Sequence, residues 1–287
     1  MLFRSSALEL GLAAMYAPGT AVRVPVWTHG ATAAAAVFAG LRVKLTDIGE
    51  DLLMAADGPG VPVHFAGALA PVGEGDLEDS AHTLAPLRGR AAAYSFYATK
   101  PVSCGEGGML ATNEEDLADY CRLRRAHGVK RSDRPWDYDI VTPGSNYRMP
   151  DMLAAIARVQ LRKYDAGVKA RSGIWDAYTE SLSGLVDTPP RSTSYHLFVI
   201  RLRLDELRID RDRFIELMGE AGIQCSVHYK PLHLMHHWRG YGGGQLQAFF
   251  PVATREYPRV VSLPIYPGVD HARVSEAVIK IIQENQR

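Results

Sequence analysis

The stretch Tyr94-Ser95-Phe96-Tyr97-Ala98-Thr99-Lys100, followed by Gly105-Glu106-Gly107-Gly108, places a lysine just beyond an apolar strand candidate. The lysine lies next to a hydroxyl residue and ahead of a turn whose glycines let another group approach the backbone closely. Such a lysine can form a Schiff base when desolvation or a nearby cation makes its neutral form accessible, which a water-exposed lysine does not achieve. Position alone leaves a surface lysine at a strand end as the alternative. A second group stands at Leu77-Glu78-Asp79-Ser80-Ala81-His82. There an acidic pair closes a short apolar strand, and an aspartate can point into the crevice at the carboxyl edge of a sheet. A helix cap or a solvated acidic turn is the alternative for Asp79.

Pyridoxal 5'-phosphate (PLP) needs a carboxylate beside its ring nitrogen, because a protonated pyridinium is the electron sink that makes a substrate Cα proton removable. Asp79 suits that task. The surrounding segments resemble, in order, the DegT/DnrJ/StrS family of PLP-dependent sugar aminotransferases. Ser95-Phe96 to Lys100 and then Gly105-Glu106-Gly107-Gly108 resemble its Ser-Phe-x-x-x-Lys and Gly-Glu-Gly-Gly arrangement. Val61-Pro62-Val63-His64-Phe65-Ala66-Gly67 is similar to its PVHxxG strand, Glu78 to His82 to its EDxAQ/H motif, and Arg125-Ala126-His127-Gly128 to its RxHG helix end. Gly144 to Met149 with Ala154-Ala155-Ile156, His228 to His233, and Leu263-Pro264-Ile265-Tyr266-Pro267 resemble its GxNxRM, HYxPLH and LPLYPG elements.

The resemblance implies an α/β protein of PLP-dependent transferase fold type I, with a mostly parallel central sheet and a smaller C-terminal α+β domain. The expected division is an abbreviated PLP-binding domain at 1–165 and a small domain at 166–287. It implies an aminotransferase that moves an amino group from glutamate to a nucleotide-linked keto-sugar, working as a homodimer. Lys100 would form the internal aldimine and shuttle the proton between Cα and C4' of the cofactor. Asp79 would pair with the pyridine nitrogen, His82 would lie on the phenolic-oxygen side, and Ser95 would bind the phosphate. Counting from Pro25 and Thr28 puts His29, not Trp27, where relatives stack an aromatic ring on the cofactor. Asn146 would reach the phosphate across the dimer interface, with Arg148 nearby for substrate or structural pairing, and His228, Tyr229 and Lys230 would face the substrate.

Two features depart from the pattern. The family's phosphate-cradling Gly-Thr is Arg4-Ser5 here. Ser5 and the first N–H groups of a helix can still hold phosphate, but the close backbone approach of a glycine is lost, and the Arg4 charge can compensate. The chain begins at this motif and its loops between 55 and 90 are short, which predicts a site missing some walls. A PLP-binding or cofactor-free pseudoenzyme with a regulatory or scaffolding role is therefore the alternative function. A family dehydratase, in which histidine replaces the lysine, is disfavoured by Lys100.

These groups need elements to position them. Helical spacing and strand-like runs predict helices at Ser5–Tyr16, Ala31–Ala39 and Glu114–Arg125 (capped by Asn113), and strands at Val22–Val26, Leu41–Asp47, Val61–Phe65, Asp76–Glu78, Ala92–Tyr97 and Met109–Thr112. The last two are read as buried strands. From Pro150 a long bent helix is expected to about Leu182, then a strand Tyr195–Leu202, a helix Arg211–Ala221, a strand Gln224–Tyr229, a loop with Gly242-Gly243-Gly244, and a helix Ala272–Glu284.

Composition excludes other classes. The 287 residues are 47% hydrophobic and 22% charged, as for a globular protein, and 32 basic residues balance 32 acidic ones, so no global field draws nucleic acid or anionic lipid. Cys104, Cys121 and Cys225 are scattered without a CxxC pair, which points to a reducing compartment, the cytoplasm. Ala7–Ala17 is apolar after Arg4 but contains Glu9 and reads as a buried helix rather than an export signal. His228, His233, His236 and His237 suggest metal ligands, yet Pro231, Trp238 and Gly240 make their setting a loop and no acid stands close in sequence, so no metal is expected. Cys104 reads as a small buried side chain, and the Gly105 turn lacks the G-x-G-x-x-G register of a dinucleotide site.

Overall fold

The computed structural model describes residues 1, 3–55, 58–134, 136–242 and 246–287. Helix and strand alternate through α1 (Arg4–Met15), β1 (Ala21–Pro25), α2 (Gly30–Phe38), β2 (Arg42–Thr46), β3 (Leu77–Ser80), β4 (Ala91–Ser95), β5 (Gly108–Thr112) and α3 (Glu115–Arg124). A hairpin of β6 (Val129–Arg131) and β7 (Tyr138–Ile140) leads to α4 (Asp151–Leu161) and α5 (Tyr164–Ser181). The remainder holds β8 (Phe198–Arg201), α6 (Arg211–Glu220), the short α7 (Leu246–Phe249) and α8 (Pro251–Glu256), β9 (Val260–Leu263) and α9 (His271–Glu284).

Strands β1 and β2 pair in parallel, as do β3 and β4, while β5 runs antiparallel to β4. Residues 59–64 join the two ladders: Arg23 N donates to Pro59 O at 3.2 Å, Val61 N to Arg23 O at 2.8 Å, Leu77 N to Gly60 O at 3.2 Å and Asp79 N to Pro62 O at 2.8 Å. The order is thus β2, β1, 59–64, β3, β4, β5, and among the described residues only β5 is reversed. This is a mostly parallel sheet, as expected. Pro59 and Pro62 cannot donate to a ladder, so the expected strand Val61–Phe65 makes only isolated bridges before a 3-10 turn at Phe65–Gly67.

Helix α1 lies against β3, β4 and β5, and burying Leu8 and Leu12 completely contributes about 1.5–3 kcal/mol each. Gly11 makes that approach possible, because a Cβ there would stand 2.3 Å from Leu77 Cδ1. The alanine-rich face of α2 buries Ala33, Ala35 and Ala36 in the same core. A second apolar cluster gathers Trp175, Tyr178, Phe198, Phe214 and Val278 between α5, α6, α9, β8 and β9.

Several expectations change. The long helix after Pro150 breaks at Arg162 and Lys163 into α4 and α5. Strand β5 is only partly covered, with Met109 43% exposed, because it is the sheet's edge. Helix α3 takes Glu114 as its N-cap residue without a side-chain bond, so Asn113 is not its cap. Residues 224–229 form one bridge, Ser226 to Ser262, rather than a strand; β9 is the partner that β8 takes instead. Gly243 and Gly244 of the glycine loop lie outside the described residues. No helix of the described residues is long and apolar enough to cross a membrane.

Candidate active site

A cavity of about 1160 Å³ opens at the carboxyl end of the parallel strands, between the segments after β1 and β4 and the chain at 224–229 and 262–267. Ser5, His29, Ser95, Lys100, His228 and Tyr229 line it. Six of the residues singled out in the sequence therefore converge here.

The alternation of β3 separates the two acids of the EDxAH motif. Glu78 takes His64 Nε2 at 2.7 Å and the N–H groups of Arg88 and Gly89 at 2.7 Å each. Burial raises its pKa, but the bonds from His64 and from those N–H groups outweigh this and hold the carboxyl below its usual value. Its role is to tie strand to loop. Asp79, 1% exposed, takes the opposite direction: Thr32 Oγ1 donates to Oδ2 at 2.8 Å, Ala81 N to Oδ1 at 3.2 Å, and Arg4 forms an ion pair with Oδ2 at 2.9 Å. All three partners are donors directed at the carboxylate oxygens.

Lys100 sits in the loop between β4 and β5, which Phe96 N to Gly107 O at 2.9 Å and Cys104 N to Phe96 O at 3.0 Å hold closed. Burial, and then the Arg4 charge, push its amine down to about 8, against a smaller opposing pull from Asp79. This is the neutralisable lysine that the sequence left open, not a surface one. Gly108 supports the arrangement from below: a Cβ there would stand 2.5 Å from Arg4 N and Phe3 C, so glycine lets β5 pass directly under the start of α1.

His82 Nδ1 accepts from Ala66 N at 3.0 Å, which leaves the proton on Nε2, 3.1 Å from Tyr229 Oη. Burial and the Lys100 charge keep this imidazole neutral, well below its usual pKa. Burial likewise raises the Tyr229 phenol to about 12 and lowers His228, whose Nδ1 lies 2.8 Å from Ser262 Oγ, to about 4. His29 opens α2, its Nδ1 accepting from Ala31 N at 3.2 Å, and meets Tyr229 edge-on at 5.9 Å. Trp27 is buried against Phe65, which leaves the cavity wall to His29.

The single chain does not bring Asn146, Arg148 or Lys230 to this cavity. All three are exposed, and Arg148 Nε donates to Asn146 Oδ1 at 3.2 Å. Sequence reasoning in turn missed Thr32 as an Asp79 partner, and His196 and Arg171 as lining groups. His196 packs 4.8 Å from His82, and Arg171 Nε donates to Ser194 O at 3.0 Å while one terminal nitrogen has no partner. No motif flagged them; they come from an unmarked helix and loop. Cys104 donates to Glu106 O at 3.2 Å, and burial raises its pKa, so it is a structural thiol.

The sequence pattern of the DegT/DnrJ/EryC1/StrS aminotransferase family matches residues 79–283. The chain belongs to that family. It is 32% identical to the spore coat polysaccharide biosynthesis protein SpsC of Bacillus subtilis over 319 residues, covering 96% of this chain and 82% of SpsC. It is 36% identical over 263 residues to the uncharacterized protein MJ1066 of Methanocaldococcus jannaschii, covering 79% and 67% of the two chains. The fold superposes on the putative sugar aminotransferase Spr1654 from Streptococcus pneumoniae in its PMP form with a TM-score of 0.89, at 24% identity, over 99% of this chain and 87% of the other. The protein is thus an aminotransferase of fold type I with PLP as its cofactor.

The residues of this aminotransferase fit that cofactor. Asp79 offers a buried carboxylate to a protonated ring nitrogen, and Lys100 offers an amine whose neutral form is accessible near pH 8. Ser5 and Ser95 offer hydroxyls, and the start of α1, which has no side-chain cap, offers free N–H groups to a phosphate. The cavity exceeds the volume that small-molecule pockets need.

Proposed function

We propose that this aminotransferase moves an amino group from glutamate to a nucleotide-linked keto-sugar, with Lys100 as the amine that holds the cofactor covalently and moves the proton. When bound, PLP supplies the ring that accepts the electron pair released with the Cα proton. Lys100, pushed down to about 8, would take that proton on Nζ and pass it to C4' within the first half of the reaction, and move a proton in the opposite sense, from C4' to the acceptor carbon, in the second. Asp79 keeps a proton on the ring nitrogen because its carboxylate is buried and already ordered by Thr32 and Ala81. His82 and Tyr229, both neutral, offer a hydrogen bond at the phenolic-oxygen side without adding charge. Ser5 and Ser95 bind the phosphate, and His29 covers the ring face. His228 and Tyr229 face the substrate, with Lys230 at the rim.

The sugar acceptor is supported by the family and by the names of SpsC and Spr1654. We read residues 1–165 as the cofactor domain and 166–287 as the small domain; the second apolar cluster, from Ile174 to Ile282, supports the latter, while the first also takes in Leu232, Trp238, Phe250 and Ala253. The working unit is a homodimer in which Asn146 and Arg148 of one copy complete the site of the other. Support comes from α4, which buries none of its residues and exposes Met152 and Leu161, and from exposed Trp136 and Ile140 in the preceding segment. Three unpaired thiols favour the cytoplasm.

The observation that carries this reading is a low-pKa lysine on the cavity wall within electrostatic reach of the buried Asp79 carboxylate, which Arg4 of the same wall contacts. An absorbance spectrum with added PLP tests it: a visible band should form, bleach with glutamate and return with an α-keto acid. A protein that forms no band, or keeps it after Lys100→Ala, overturns the covalent role of Lys100.

A further inference from the structure

Arg4 occupies the first helical position of α1, where the resembled motif has glycine. Its guanidinium does not point at the cavity's hydroxyl end. It reaches Asp79 Oδ2 at 2.9 Å and Thr32 Oγ1 at 3.3 Å, and the residue lines the cavity together with Ser5 and Ser95. Asp79 Oδ1 accepts from Ala81 N, and Oδ2 accepts from both Thr32 and Arg4. A protonated ring nitrogen that pairs with Asp79 meets the Arg4 charge on the same buried carboxylate, and two cations so close repel each other.

A guanidinium displaced from a buried carboxylate needs another anion, since an unpaired buried charge is strongly unfavourable. The cofactor delivers that anion in the same event. The phosphate end has no acid of its own in the first turn of α1, and the Arg4 backbone is already there. We infer that Arg4 is a two-position cofactor ligand, held on Asp79 when the site is empty and on the cofactor's phosphate when it is filled. The exchange keeps Asp79 paired at every stage and replaces, by charge, the close backbone approach that glycine gives elsewhere. It rests on the proposed placement of the phosphate at Ser5 and Ser95.

The test compares PLP with pyridoxal, which lacks the phosphate, by absorbance titration and quenching of protein fluorescence, neither of which requires turnover. Arg4→Gln should weaken PLP by about 10- to 100-fold, the worth of a charge-assisted bond, while pyridoxal binds as well as before or more tightly. Arg4→Met, which keeps the stem, gives the same reading if the glutamine variant does not fold, and Arg4→Lys should keep the preference for PLP. Equal changes for both ligands, in either direction, overturn the inference: equal tightening means that Arg4 only blocks Asp79. Wild-type protein that binds neither ligand would instead sink the cofactor site itself.

Discussion

The cavity and the outer flank at 129–161 hold motif residues of the same family, yet they behave oppositely. Around the cavity each motif side chain is satisfied within one chain: Asp79 by Thr32, Ala81 and Arg4, His82 by Ala66 and Tyr229, Glu78 by His64. On the flank, Asn146 and Arg148 have each other, in solvent, and Ile156 and Val159 on α4 are about half exposed. So many exposed large apolar side chains in one stretch of sequence point to a surface that is covered by a partner. The interior motif residues are therefore held by their own chain, whereas the flank is where the proposed second copy would sit.

The most severe way to break the comparison is on the interior side. Lys100→Ala should lower transamination by roughly 10²–10⁴-fold or more and abolish the visible band, because the positioned proton carrier is gone. Its melting behaviour should stay near wild type, since removing a buried cation relieves desolvation. Single-turnover rates and a thermal melt read both. A variant that keeps its band would place the attached amine elsewhere.

On the flank the expectation reverses. Ile156→Asp should leave the stability of the single chain within about 0.5 kcal/mol, as for other exposed positions, while shifting the protein from dimer to monomer in sedimentation and removing most activity. If the variant stays dimeric and active, the flank is not the interface and Asn146 completes no site. Asp79→Asn falls between the two: it leaves the Arg4 guanidinium without its anion. That should destabilise the cofactor-free protein by about 3–5 kcal/mol at most, less in so far as Arg4, 12% exposed, can turn toward the cavity. Urea unfolding measures it, and Asp79→Asn combined with Arg4→Met should cost less than the sum of the two.

How far the sequence made this legible depends on where the information is local. Helices α1, α2, α6 and α9 follow from apolar spacing that recurs within a few turns, and Lys100, Asp79, Ser95 and His29 from motifs whose neighbours fix the backbone. Strand β9 escaped because its partner is distant, Phe198 for Leu263, and the hairpin β6–β7 because its strands are three residues each and mostly exposed, without an apolar alternation. Val61–Phe65 reads as a strand from composition, and residues 59–64 lie in the sheet, but two prolines deny them a regular ladder. The Arg4 contact was invisible for a different reason. The substitution of glycine was plain in the sequence, and charge suggested the phosphate, but only the fold shows that Asp79 lies within reach and competes for it.

The mildest prediction concerns acid. His228, lining the interior, has its pKa lowered by burial and by the Lys100 charge from 6.5 to about 4, so the unfolded chain binds a proton that the folded one refuses over that interval. Stability should therefore fall as pH drops from 6.5 toward 4, by at most about 1.4 kcal/mol per unit from this group, and should be unaffected by it above 6.5. Solvent reaching the half-buried ring reduces that figure. His82 and His196 are shifted in the same direction by the same burial and add to the slope. His228→Asn, which can still bond Ser262 Oγ, should flatten the urea-midpoint curve between those pH values and leave the neutral-pH midpoint close to wild type. A curve that keeps its full slope in His228→Asn would mean that the acid response does not come from this buried ring.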